Sequence, residues 1–237
     1  MNTPAEDDQQ GMLDGVATSF VGRLLDFSVD GVGPFTSAGQ VVTAARKDHG
    51  SDVENAIDAI VKDHVRKAAA GGFATGLGGI FTMPVALPAN VLGFYTLAAR
   101  MVASIAELRG YDVSTKGARA AVVLCLVGAD ADDLLQKAGL STAAGLTGSG
   151  RLARLATTRL PRAAAMMVNK AVGFRLLTAV GGRALGRVIR FVPIAGGVIG
   201  AGLDGFLMKR IADHARSEFV AQSTEQGQAL TEGTQQS

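Results

Sequence analysis

AAAGGFATGLGGIFTMPVALPANVLGFYTLAA, residues Ala68–Ala99, is a run of 32 residues without a charge. A run of that length is long enough to cross a bilayer, but its interior argues against a simple span. Pro84 and Pro88 divide it into 68–83 and 89–99. At about 1.5 Å per residue the first piece reaches about 24 Å, short of a hydrocarbon core of about 30 Å. Proline lacks the N–H a helix interior needs. The expectation is therefore two apolar helices meeting at a proline-rich turn, either buried in protein or lodged partway into lipid.

Working outward, the periodicity is helical almost everywhere. Leu13, Val16, Phe20, Leu24 and Phe27 recur at three- and four-residue spacing and predict a helix over 11–28. The segment 30–34, with two glycines and a proline, ends it. A short helix over 36–47 follows. Ser51 and Glu54 form a capping-box pattern that opens a helix to about residue 70, with Ile57, Ile60, Val61, His64 and Val65 on one side. Further helices are expected over 115–128, after Asp133, in about three pieces divided by Pro161 and Gly181-Gly182, and over 192–219. Strands find a place only as short pieces near 189–194. The polar ends, 1–10 and 222–237, read as disordered tails flanking one domain over 11–221. The fold class is all-α: a single compact, glycine-rich, multi-helix domain containing a proline-turned apolar hairpin.

Composition narrows the chemistry. The 237 residues include 31 Gly, 10 Phe, two Tyr and no Trp, so the core must be built from small side chains that let helices approach closely. The lone cysteine, Cys125, excludes an intramolecular disulfide and any zinc site needing several thiolates. It lies in an apolar run and reads as a buried small hydrophobe. No histidine or carboxylate spacing suggests a metal, and no cofactor motif is present. Gly76–Gly79 lacks the Lys-Ser/Thr of a phosphate loop. The acidic N-terminus lacks the order of a secretory signal, which points to the cytoplasm.

The net charge of +2 hides an asymmetry: residues 1–133 carry −6, residues 134–203 carry +10 without one acid, and residues 204–237 carry −2. Arg183, Arg187 and Arg190 share one helical face, and Arg151 and Arg154 add charge nearby. One interpretation is a solvated surface paired with the acids of the first half. The other is a face for anionic lipid headgroups or a membrane protein complex. Nucleic acid fits poorly, because Phe174 and Phe191 are the only aromatic residues in that stretch.

Small residues recur at four-residue intervals, Gly72 with Gly76 and Gly197 with Gly205 two steps on, as expected of helices packed to backbone contact within the chain, in lipid or in a homo-oligomer. Asn90, Arg100, Asp112 and Asp204 are polar groups in or beside apolar segments, and His64 lies on an apolar face. These are the candidates for a catalytic pocket, though no nucleophile–base spacing joins them. Pairing within the fold is the alternative.

Several stretches, in order, resemble the EcsC family: Asp30–Pro34, Gly72–Gly79, Met83–Pro88, Arg100 with Ile105–Asp112, and Val192–Gly202. Together they cover about 30–220. The resemblance implies a helical, membrane-associated accessory protein, the family being named for a gene beside an ABC transporter, and carries no agreed reaction. The expected function is non-catalytic, peripheral association with the cytoplasmic face of the membrane or with a membrane protein complex. The alternatives are a hydrolase-like enzyme for a lipidic substrate and a soluble homo-oligomer.

Overall fold

In the computed structural model the described residues are 15, 18–32, 36–77, 79–128, 131–137, 139–140, 150–158, 160–183 and 193–222, with side chains described outside 79–90, 175–183 and 193–196. Every element among them is a helix, joined by short turns, and no strand occurs. Helix α1 covers 18–25 and tightens into a π-helical turn at Asp26–Asp30. It is followed by α2 (Ala38–His49), α3 (Val53–Leu77), α4 (Gly79–Leu108), α5 (Lys116–Val127), α6 (Ala131–Lys137), α7 (Arg151–Thr157), α8 (Arg162–Arg183) and α9 (Pro193–Glu218).

Local chemistry sets the ends of these helices. Ser37 Oγ accepts from the Gln40 N–H at 3.1 Å while Gln40 Oε1 accepts from the Ser37 N–H at 2.9 Å, a complete capping box on α2. Helix α3 is capped by Asp52, whose carboxylate accepts from the Asn55 N–H, one residue later than the Ser51 box expected from sequence. Thr115 caps α5, and Gly128 ends it at φ 58, in the left-handed region that suits glycine.

Two sequence expectations are corrected. The apolar stretch does not break at the prolines: α3 ends at Leu77, and α4, from Gly79, runs unbroken through Pro84 and Pro88. Each proline costs one i→i−4 bond, and a thirty-residue helix with so many other bonds carries both. Likewise α8 continues across Gly181-Gly182 as one helix instead of breaking there. Of the strand expected near 189–194, residues 193 and 194 are helical and the rest lies outside the described residues, as do both tails except Gln222, whose N–H donates to the Arg109 carbonyl.

The core is made by the second half of α4 and by α5. Ala98, Ala99, Met101, Val102, Ala103, Ile105 and Ala106 are wholly inaccessible, as are Val122, Val123, Leu124 and Cys125. Because alanine and valine dominate, neighbouring helices can surround α4 and α5 on every side; burying a leucine or isoleucine in such a core contributes about 1.5–3 kcal/mol. Asp30 and Arg119 form a two-bond pair, at 3.0 and 2.5 Å, that ties the π turn to α5.

The most extensive helix contact among the described residues is α3 with α9. The two run antiparallel: Asp58 pairs with Arg216, Gly205 lies beside Val65 and Ala69, Gly72 meets Gly200, and Gly197 lies against Phe73 and Leu77. At Gly72 a methyl group would strike the Gly200 carbonyl and stand 2.6 Å from Asp204 Oδ2. Backbone touches backbone there. A second such crossing lies at Gly117 of α5, where a methyl would stand 2.8 Å from the Thr158 carbonyl and closer still to that of Leu155.

Candidate functional surfaces

The polar residues singled out from sequence do not assemble into one pocket. His64 and Arg100 come together: the His64 Nδ1–H donates to the Ile60 carbonyl at 2.8 Å, and Nε2 accepts from Arg100 Nε at 3.4 Å. Arg100 also donates to the Thr36 carbonyl at 3.2 Å, fastening the segment before α2 to the α3–α4 pair. Burial lowers the His64 pKa to about 4, so the ring is neutral at neutral pH and free to accept that bond. Both residues are occupied in holding helices together.

Asp112 is fully exposed and sits elsewhere, in a shallow groove of about 330 Å³ with Asp30, Ser37, Glu107, Tyr111 and Arg119. Hydrogen bonds from Ser114 hold its carboxyl below the usual range. Asp30 is held by Arg119, and the Tyr111 hydroxyl donates to the Val220 carbonyl at 2.7 Å. Glu107 remains, its pKa raised by partial burial. The one hydroxyl bonded to a carboxylate among the residues of this groove is Ser114, whose pair with Asp112 at 2.6 Å belongs to the turn before α5, and Arg100 and Asp204 do not border the groove. Asp204 lies on α9 facing Gly72, and the Asn90 side chain lies outside the described residues. No cluster of three metal-binding side chains occurs among the described residues.

The basic candidates separate too. Arg151 is only 12% exposed and bridges Asp132 at 2.7 Å and Glu218 at 3.6 Å, so the structure corrects its assignment to a lipid-facing surface. Arg154 is exposed. The side chains of Arg183, Arg187 and Arg190 lie outside the described residues.

The glycine positions fall on the α3–α9 contact. Gly72 stands at its crossing and Gly197 is buried, where a methyl would press on Phe73 and Leu77 at 3.2 Å, whereas Gly205 has room for a methyl, which would rest 3.6 Å from Ala69. Gly76 lies on α3, partly buried. The four-residue spacing passed over Gly200, three residues after Gly197, although it is the residue that Gly72 meets.

On the outside of the α3–α9 pair Phe73, Leu77, Val198, Ile199, Leu203 and Phe206 are 41–63% exposed. Single exposed apolar residues are ordinary on a protein surface; six large ones at one end of a helix pair are not. Among the described residues, one window, Val91–Leu108, is long and apolar enough to cross a membrane, and 56% of it is buried within the protein, where it supplies the core.

The family model for the EcsC protein family matches residues 51–220. The chain belongs to the EcsC family. The match to the EcsC model begins just before α3 and ends just after α9, so it contains both members of the glycine-crossed pair and the apolar end they form. No curated protein and no solved structure matches this EcsC-family chain.

Proposed function

We propose that the chain is a non-catalytic accessory protein that associates reversibly with the cytoplasmic face of a membrane, in contact with lipid or with a membrane protein complex. The observation that carries this is the exposed apolar end of α3 and α9, beside the start of α4, which has no charge before Arg100. Water-facing apolar surface of this size is unfavourable by about 25 cal/mol per Å², and a dry partner removes that cost. The acid-free stretch 134–203 supports an anionic partner. The enzyme alternative loses support because its described candidates are dispersed, and His64, Arg100 and Asp112 are held in bonds within the fold.

Vesicle flotation tests the proposal. Recovery with anionic phospholipid vesicles is expected to exceed that with neutral ones at least tenfold, since each cation near the surface contributes about 1 kcal/mol, and to fall as salt shortens the screening length from about 10 Å at 0.1 M. Changing Arg183, Arg187 and Arg190 together to Glu should abolish the preference. Equal recovery on both vesicle types with no effect of salt would count decisively against the proposal.

A further inference from the structure

The exposed side chains of α3 and α9 form two matching rows. Arg66, Ala70, Phe73 and Leu77 are exposed at spacings of four, three and four, which places them on one face of α3. Ile199, Leu203, Phe206 and Arg210 repeat those spacings on α9 in the opposite chain direction. The contacts of Gly72 with Gly200 and of Gly197 with Phe73 and Leu77 stagger the rows by one turn, about 6 Å: Ile199 stands level with Phe73 and Phe206 with Arg66, so Leu77 reaches furthest toward the tip and Arg210 lies nearest the base. Each row therefore runs about 16 Å from its last apolar residue to its arginine, against about 15 Å for the hydrocarbon of a single leaflet.

Among the described residues, the polar groups within this end are turned inward or satisfied. Thr75 Oγ bonds back to the Gly71 carbonyl at 3.0 Å, which leaves its hydroxyl needing no water. Asp204, the one acid between 193 and 212, faces Gly72 across the helix contact, where the missing side chain leaves it space. At the base, the Arg210 guanidinium lies 5.9 Å from the centre of the Phe206 ring, so its charge stays at the rim while its stem covers apolar surface. Lys67 and Lys209 stand beside the two arginines, each linked along its own helix to Asp63 or Asp213.

We infer that this end is immersed in one leaflet of an anionic bilayer, with Leu77 deepest, Ile199 one turn behind it, and Arg66 and Arg210 among the headgroups. The inference rests on the membrane association proposed above and commits it to lipid. An apolar depth close to that of one leaflet, its one acid turned into the helix contact, and a collar of cations fit the boundary between headgroups and acyl chains. A second copy of the same end would bring arginines against arginines in parallel register, and an ordinary protein interface would not require the apolar depth to stop at the two arginines.

Cys125 is inaccessible and its thiol pKa is pushed up by burial, so single introduced cysteines can be labelled with the native residue silent. Leu77→Cys, Ile199→Cys, Leu203→Cys, Lys62→Cys and Met166→Cys, each carrying a nitrobenzoxadiazole label, would be mixed with anionic vesicles whose acyl chains are brominated. Quenching of at least threefold is expected at 77 and 199, weaker quenching at 203, and none at 62 or on α8 at 166. Flotation without quenching at 77 and 199 would overturn the inference while leaving membrane association intact, since another face would then make the contact. Self-quenching of the Ile199→Cys label without vesicles would overturn it in favour of a second copy. Absence of flotation would remove the membrane association itself.

Discussion

Replacing Gly72 by alanine is expected to lower the melting temperature by about 6–12 °C. A methyl at this position would run into the Gly200 carbonyl and come within 2.6 Å of Asp204 Oδ2, and the backbone of a packed helix cannot yield as the end of a side chain can. Overpacking of this kind costs about 3 kcal/mol, even with the gain of about 1 kcal/mol that alanine brings to a helix in place of glycine. In a chain of this size each kcal/mol moves the midpoint about 2–4 °C. Gly205→Ala on the same helix pair is the control: its methyl would rest 3.6 Å from Ala69, so helix propensity prevails and the midpoint should hold or rise. Differential scanning calorimetry of the two variants decides the point. Equal melting of Gly72→Ala and the parent chain would mean that α3 and α9 do not touch backbone to backbone.

The second large effect is expected at Arg151. Its guanidinium bridges Asp132 and Glu218, and Glu218 is 5% exposed. Removing the cation strands a carboxylate in the interior, with the Leu152 N–H at 3.3 Å as its remaining described donor. Loss of one member of such a buried pair costs about 3–5 kcal/mol, whereas replacing both by apolar groups is close to neutral. Urea unfolding of Arg151→Met should show that loss, and the double variant Arg151→Met/Glu218→Leu should recover most of it. Recovery in the double variant identifies an ion pair buried for structure; its failure, with the single variant stable, would return Arg151 to the lipid-facing candidates.

These residues also show what the sequence could and could not disclose. The helical class follows from three- and four-residue periodicity with few β-branched runs, and the order of the glycine and proline motifs pointed to the EcsC family. Small-residue spacing brought out Gly72 because four-residue steps are local. Its partner Gly200 is 128 positions away, and nothing local marks it as the residue whose carbonyl α3 would meet. The prolines misled for a related reason. Proline removes one bond, but whether a helix bends, breaks or continues depends on the bonds that remain and on the neighbours that pack around it. Charge behaved the same way: a stretch without acids is visible in the sequence, yet Asp132 and Glu218, which neutralise Arg151, flank that stretch and approach only in the fold. The exposed rows on α3 and α9 obey a spacing that can be read from the sequence. In a chain that is 48% hydrophobic, however, an apolar row does not announce which side faces the core.

Membrane association through the α3–α9 end makes one quantitative demand. The parent chain and the variant Leu77→Ser/Leu203→Ser/Phe206→Ser should be compared by flotation on the same anionic vesicles, with melting curves showing that both are folded. These side chains are exposed, so the fold should survive while recovery with vesicles falls at least tenfold. A folded variant that floats as well as the parent chain would contradict the central claim.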